Sequence, residues 1–146
     1  MLPGDTEELY ALHREAMGVY IEQTYGPWDE EIQRDFFRRR VESGAMEVIE
    51  SQGQLAGILE VERAPAYLSI VNIELAPAFQ RHGIGSGIIR ELQDEAASRS
   101  VPLRLQVMKV NPARRLYERL GFVKTGETET HHLMEWAPAR STRGRG

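Results

Sequence analysis

The chain contains no cysteine, and this absence excludes several kinds of chemistry at once. Disulfides, thiolate nucleophiles and zinc–thiolate sites all require cysteine. The sequence also lacks the run of about 18–20 apolar residues that a membrane span needs. Its N-terminus lacks the basic-then-apolar pattern of a secretory signal. We therefore expect a cytoplasmic protein that does not enter a membrane.

Basic residues are fewer than acidic ones: the chain has 18 lysine and arginine residues and 22 aspartate and glutamate residues. This mild acidity argues against broad electrostatic binding, so no nucleic-acid partner is expected. The exception is the basic segment Arg140–Gly146. It predicts a disordered tail over residues 138–146, with a binding arm as the alternative. His131 and His132 are neighbours on a predicted strand and point to opposite faces, so no metal site is predicted.

The length favours one domain, at residues 1–137, followed by the tail. Apolar periodicity predicts two helices, three strands, a helix, a strand, a short helix and two strands. Their residues are 6–25, 29–43, 46–50, 55–61, 67–75, 88–99, 101–110, 111–120, 122–125 and 131–136. In the second helix, Ile32, Phe36 and Val41 are expected to face the core. The last two strands are expected to turn at Gly126.

A glycine-rich segment, Gln80–Gly87, lies between the strand at 67–75 and the following helix. Glycine permits positive φ and lets a ligand approach the backbone. The first amides of a helix lack internal acceptors and, with the helix dipole, bind anions. Arg81 adds a cation, so the segment predicts a site for a phosphate or diphosphate. A P-loop is excluded because no lysine follows the glycines, and a dinucleotide fingerprint is excluded because Gly87 comes one residue early.

This Gln-x-x-Gly-x-Gly turn is followed by Asn-Pro-Ala-Arg-Arg-Leu-Tyr-Glu-Arg-Leu-Gly-Phe at residues 111–122. The two motifs in this order resemble the GNAT superfamily of N-acetyltransferases, and the resemblance covers residues 67–123. It implies an α/β (α+β) fold with a mixed, mostly antiparallel sheet flanked by helices on both faces. The family normally opens with a short strand. Only Met1–Gly4 precede the first helix here, so we expect that strand to be short or missing.

The resemblance implies that acetyl-CoA is the co-substrate. In the family, the backbone of the turn holds the diphosphate, the preceding strand pairs with the pantetheine arm through its main chain, and an asparagine reaches the same arm. The implied cofactor-binding residues are Ile73, Leu75, Gln80, Arg81, His82, Gly83, Ile84, Gly85, Ser86, Asn111 and Tyr117. Asn111 has a structural alternative, since it could simply cap its helix.

Two residues are candidates for proton transfer. Glu74 lies with Asn72 at the polar end of its strand, and we expect it to be the general base, directly or through a water. The alternative is a solvent-facing carboxylate. Tyr117 is implied to be the general acid that reprotonates the coenzyme thiolate; the alternative is a half-buried aromatic beside the stripe Ala113, Leu116 and Leu120. Some relatives that modify protein N-termini have a catalytic glutamate where this chain has Gln106, which cannot accept a proton.

The junction of the first two helices places an aromatic ring among carboxylates, which would suit a cationic amine. The implied substrate-binding residues are Trp28, Asp29, Gln33, Phe37 and Asn72. Alternatively, Trp28 packs as a hydrophobic plug and Asp29 only caps a helix. We therefore expect an N-acetyltransferase acting on a primary amine of a small molecule or peptide. A catalytically silent acyl-CoA sensor, O-acyl transfer and a longer acyl donor remain open, as does a homodimer.

Overall fold

The computed structural model describes residues 6–138. The elements are, in order, α1 (Thr6–Tyr25), α2 (Glu30–Glu42), β1 (Met46–Ser51), β2 (Gln54–Ala64), β3 (Tyr67–Leu75), a 3-10 helix (Pro77–Phe79), α3 (Ile84–Ser98), β4 (Leu103–Met108), α4 (Arg114–Arg119), β5 (Val123–Glu127) and β6 (His131–Trp136). The predicted order is confirmed. The expected opening strand and, except for Pro138, the predicted tail lie outside the described residues.

The six strands form one sheet in the order β1-β2-β3-β4-β6-β5. β3 pairs with β4 in parallel through Leu68–Ile70, and the pairs β1–β2, β4–β6 and β5–β6 are antiparallel. The prediction of a mixed, mostly antiparallel sheet flanked by helices is confirmed.

Contacts along the chain define two compact units, and each has its own buried residues. The first comprises the described residues up to Val61 together with Val71–Gly85. Its core consists of Leu9, Tyr10, Leu12, Phe37, Met46 and Ile58. Burial of these apolar side chains is the main stabilising contribution within the unit.

The prediction for the buried face of α2 was wrong for two residues. Ile32 and Phe36 are 50% and 55% exposed, whereas Phe37 is 2% exposed and Val41 packs against the same core. Residues four apart share one helix face, so Phe37 and Val41 form the inner stripe. Phe36, one residue earlier, is rotated about 100° away from it.

The second unit comprises Glu62–Ile70 and the described residues from Ser86 onward. The alternation expected in β4 is confirmed, because Leu103, Leu105 and Val107 are buried. The prediction of a turn at Gly126 was wrong. Gly126 lies inside β5, next to a register shift, and pairs with Leu133 of β6. The connection between the two strands is residues 128–130. A glycine within a strand often marks such an irregularity rather than the turn.

Candidate functional site

The end of β3 carries a buried charge in the first unit. Glu74 is 3% exposed, so the alternative of a solvent-facing carboxylate is wrong. Its Oε1 lies 2.9 Å from Nδ1 of His13 on α1, and its Oε2 accepts a hydrogen bond from Nη2 of Arg40 on α2 at 3.3 Å. A buried carboxylate is tolerated when it is paired in this way.

Arg40 joins Glu74 to a second buried carboxylate, Glu60 of β2, which is 5% exposed. Oε1 of Glu60 accepts from Nε and Nη2 of Arg40, at 3.1 and 2.7 Å, and from Nδ2 of Asn72 at 2.7 Å. We call His13, Arg40, Glu60, Asn72 and Glu74 the charged network. Asn72, predicted to contact the substrate, is therefore already hydrogen-bonded within it.

Aromatic side chains support the charged network. The His13 ring stacks on Phe37, with centroids 5.2 Å apart and planes at 26°, and the Arg40 guanidinium lies 5.2 Å from the Phe37 centroid. Trp28 lies 6.1 Å from His13 and packs against the core. Phe37 is a core residue whose ring contacts both His13 and Arg40, and its predicted contact with a substrate stays a prediction.

The junction of α1 and α2 is held together by Glu30. Its Oε1 accepts hydrogen bonds from Tyr10, Arg14 and Trp28, and its Oε2 from Arg34. Donation from Trp28 is the largest of the effects that lower the pKa of Glu30. The carboxylate closest to the indole is thus committed to holding the helices together.

Asp29 and Gln33 lie next to this junction. Asp29 caps α2, since its Oδ1 accepts from the Ile32 amide at 3.1 Å. Gln33 is half-buried one helical turn later. The structural alternatives, capping by Asp29 and packing by Trp28, are both observed, and contact of these residues with an acceptor stays a prediction.

The turn after β3 has the backbone expected of an anion site. Nε2 of Gln80 donates to the Leu75 carbonyl at 2.9 Å and ties the turn to the strand. Arg81 and Gly83 have φ of 65° and 80°, a conformation that is costly for arginine and free for glycine. His82 is exposed like Arg81, and α3 begins at Ile84.

Gly85 is a buried residue in the first turn of α3. A Cβ there would meet only Cδ1 of Leu75, at 3.4 Å, so packing within the described residues does not require glycine. Glycine in a helix costs about 1 kcal/mol relative to alanine. The first turn of α3 has no acidic residue. The first amides of α3, which have no acceptor within the helix, lie beside the exposed Arg81 and fit an anionic group such as a diphosphate. Ser86 follows in the same helical turn.

Besides Ser86, two predicted site residues lie in the second unit, Asn111 and Tyr117. Oδ1 of Asn111 accepts from the Ala113 amide at 2.9 Å, so its capping role is observed. Tyr117 is the buried residue of α4, at 7% exposure, and its ring meets Phe122 edge-on at 6.0 Å. The prediction that Tyr117 lies beside the buried stripe was wrong. Gly121, at φ 97°, turns the chain so that Phe122 folds back onto the Tyr117 side of α4.

Burial raises the pKa of Tyr117 to about 12. The hydroxyl therefore keeps its proton at neutral pH and can act only as a donor or as an acceptor of a hydrogen bond, not as a phenolate. Gln106 is exposed on β4, opposite Leu133 of β6.

Each of the two adjacent histidines contacts a neighbouring side chain, His131 that of Thr130 and His132 that of Arg114. Nη1 of Arg114 lies 3.1 Å from Nε2 of His132 and, being a donor only, occupies that nitrogen. Burial is the main cause of a lowered pKa of His132. Among residues 6–138, no three histidine, cysteine, aspartate or glutamate side chains come together as metal ligands.

Sequence reasoning missed three members of the charged network, namely His13, Arg40 and Glu60. Two of them carried a signal. Glu60 interrupts an apolar stretch of β2, and His13 lies four residues after Leu9 on the inner face of α1. Arg40 is the last of three consecutive arginines, and nothing in that run distinguishes it.

None of the helices that the structure describes is both long and apolar enough to cross a bilayer.

Comparison with known proteins identifies the family to which these features correspond. The acetyltransferase (GNAT) domain model matches residues 16–140. No curated protein sequence matches the chain.

Solved structures share the fold at low sequence identity. The PaiA N-acetyltransferase of Thermoplasma acidophilum, in complex with coenzyme A, is 20% identical with a TM-score of 0.67, over 91% of this chain and 92% of that one. PH1933 from Pyrococcus horikoshii OT3 is 19% identical with a TM-score of 0.73, over 96% and 94%. The ribosomal-protein-S18-alanine N-acetyltransferase of Escherichia coli is 21% identical with a TM-score of 0.65, over 100% and 96%.

Proposed function

The chain belongs to the GNAT family of acetyltransferases, and on this premise we propose that it transfers an acetyl group from acetyl-CoA directly to a primary amine of a small molecule or peptide. The observation that carries the proposal is the turn before α3. It combines left-handed Arg81 and Gly83, the first amides of α3, which have no acceptor within the helix, and an exposed guanidinium. These are the groups that a coenzyme diphosphate requires.

The residues of the turn bind the co-substrate in this proposal. The backbone amides of Gln80–Ser86 hold the diphosphate, and Arg81 pairs with one phosphate. The main chain of Ile73 and Leu75 holds the pantetheine arm. In the second unit, Asn111 contacts the same arm through the part of its amide that the cap leaves free, since its Oδ1 already accepts from Ala113.

Acetyl-CoA supplies a thioester carbon that the amine nitrogen attacks, so that an amide forms and CoA leaves as its thiolate. The acceptor must first lose a proton, because an ammonium ion has no lone pair. We assign that proton to Glu74, through a water, since its side chain is only 2% exposed. No residue becomes acylated, which agrees with a chain that has no cysteine.

Tyr117 serves the leaving thiolate. Its pKa of about 12 lies above the ~8.5 of an ordinary thiol. Complete transfer of its proton is therefore uphill by about 5 kcal/mol, at 1.36 kcal/mol per unit of pKa. Its main contribution is a hydrogen bond that stabilises the developing negative charge, with the thiolate later protonated from solvent.

A second candidate function is a catalytically silent acyl-CoA sensor. The observation that favours it is the burial of Glu74, with both carboxylate oxygens already paired. A binding module needs no accessible base, whereas an enzyme needs a water beside this carboxylate.

The test is to incubate the protein with acetyl-CoA and a panel of primary amines and N-terminal peptides. Turnover is measured by the release of the CoA thiol and by detection of the acetylated product. The enzyme is expected to acetylate at least one amine. Glu74→Gln and Tyr117→Phe are expected to lower kcat by about 100-fold and about tenfold, with little change in CoA affinity. Glu95→Gln, in an exposed pair with Arg63, is the matched control and should retain full activity. Binding of CoA without turnover of any amine would establish the sensor instead.

A further inference from the structure

Glu74 is held from two sides, and the two contacts are not equal. Nδ1 of His13 lies 2.9 Å from Oε1, whereas Nη2 of Arg40 lies 3.3 Å from Oε2. The same Nη2 lies 2.7 Å from Glu60, so the guanidinium is engaged mainly by the other carboxylate. His13 is therefore the principal hydrogen-bond partner of Glu74.

We infer that His13 is a positioning residue for acetyl transfer: its Nδ1–H fixes Oε1 of Glu74 and so orients the carboxylate that accepts the proton of the amine. The inference rests on the proposed function, in which Glu74 is the base. His13 acts through Glu74 and is not assigned a contact with either substrate.

The tautomer of His13 follows from the groups around it. An ionised carboxylate only accepts hydrogen bonds and a guanidinium only donates them. Nδ1 of His13 faces both, Glu74 at 2.9 Å and Nη1 of Arg40 at 3.4 Å. A bare Nδ1 would set its lone pair against the Glu74 oxygen at the shorter distance. Nδ1 therefore carries a proton and donates to Glu74.

The ring is fixed well enough to act in this way. His13 is 7% exposed, stacks on Phe37 and lies against Trp28 and Tyr10. A donor whose own orientation is fixed by packing holds its partner in one geometry.

The charges that face His13 favour a cationic acceptor. Arg40 of α2 and Glu74 of β3 contact the imidazole directly, Glu60 of β2 pairs with Arg40, and the Tyr10 ring lies beside His13 on its own helix. Two carboxylates and one guanidinium leave one negative charge when the imidazole is neutral. This excess favours the approach of an ammonium group over that of an alcohol.

The test replaces His13 by two amide side chains whose N–H groups lie at the positions of different ring nitrogens. In His13→Asn, Nδ2 lies where Nδ1 of the imidazole was, because both atoms are bonded to Cγ. In His13→Gln, the amide lies where Nε2 was. We expect His13→Asn to keep kcat within about threefold, and His13→Gln to lower kcat by about tenfold. The KM for acetyl-CoA should not change, and the ascending limb of the pH–rate profile should move only in His13→Gln.

Equal losses in the two variants, or no loss in either, would overturn the inference. His131→Asn is the matched control for loss of an imidazole. The His131 ring is hydrogen-bonded to the Thr130 hydroxyl in the second unit, and it does not belong to the charged network. The variant Glu74→Gln distinguishes failure of the proposed base, Glu74, from failure of the positioning role of His13. Full activity of Glu74→Gln would remove the proposed base, whereas loss in Glu74→Gln with full activity of His13→Gln would remove only the role of His13.

A measurement on the unaltered protein covers the case in which His13→Gln does not fold. Nitrogen NMR of the His13 imidazole reports which ring nitrogen carries the proton. A protonated Nδ1 is expected, and a bare Nδ1 would overturn the inference whatever the variants do.

Discussion

A Cβ atom at Gly57 would lie 2.1 Å from the main-chain oxygen of Glu74, so β2 and β3 approach each other more closely there than any side chain allows. The amide of Ala76 continues the contact by donating to the Ala56 carbonyl at 2.8 Å. The position of the Glu74 carboxylate thus depends on a glycine that is remote from it in the sequence.

Gly57→Ala is expected to displace the Glu74 main chain and to lower the free energy of unfolding by about 1–3 kcal/mol, the usual cost of overpacking. Activity should fall as well, because the carboxylate moves with its backbone. Gly18→Ala is the control: it is also buried, its Cβ would have ordinary contacts of 3.6 Å or more, and it lies within a helix. Denaturant unfolding of both variants checks the prediction, and equal stability of the two would contradict it.

Gly85→Ala separates folding from cofactor binding. The free protein should be as stable as the parent or more stable by up to about 1 kcal/mol, since alanine favours the helix. Affinity for CoA should fall by about tenfold or more, because the added methyl group, next to Leu75, would narrow the approach to the first amides of α3. Calorimetric titration with CoA measures this. Unchanged affinity would mean that the start of α3 does not bind the coenzyme.

Arg40→Met would leave two buried carboxylates, Glu60 and Glu74, without their shared cation. Removal of one partner from a buried ion pair costs about 3–5 kcal/mol. Arg63→Met removes an exposed partner of Glu95 and should cost about 1 kcal/mol or less. Urea unfolding at neutral pH compares them, and similar losses in the two variants would show that the charged network does not need Arg40.

Tyr117 makes the folded protein sensitive to alkaline pH. Its pKa is about 12 in the folded protein and about 10 once unfolded, so the unfolded state gives up this proton first as the pH rises. The contribution of Tyr117 is fully present below pH ~10, and about 2–3 kcal/mol of stability is lost as the pH approaches 12. The difference in unfolding free energy between parent and Tyr117→Phe, measured against pH, isolates it. A difference that stays constant up to pH ~12 would contradict the burial of this hydroxyl.

The order of elements could be predicted because each has a clear local pattern. β3 and β6 were predicted with their observed limits, since each alternates between turn-forming segments. The inner face of α2 could not be predicted, because Phe36 and Phe37 are adjacent and equally apolar. Packing against His13 and Tyr10 of α1 selects Phe37. The single domain at 1–137 stays a prediction.

The glycine turn could be predicted as a turn because glycine permits positive φ, which Gly83 adopts. Binding of a ligand by this turn stays a prediction. The charged network could not be predicted from the sequence, because its contacts join residues that are far apart in the chain. His13 and Glu74 are separated by 61 positions, and Arg40 and Glu60 by 20. Only the fold brings them together, and it also changes Glu74 from an apparent surface carboxylate into a buried one.

Thermal unfolding with acetyl-CoA, CoA, ATP and NAD tests the central claim most directly. A ligand that binds only the folded state stabilises it by about 2.7 kcal/mol at a hundredfold excess over its Kd. The account predicts a higher Tm with acetyl-CoA and with CoA, no change with ATP or NAD, and loss of the shift in Gly85→Ala. No shift with either CoA species would contradict it, and the acetyltransferase and sensor functions would fall together.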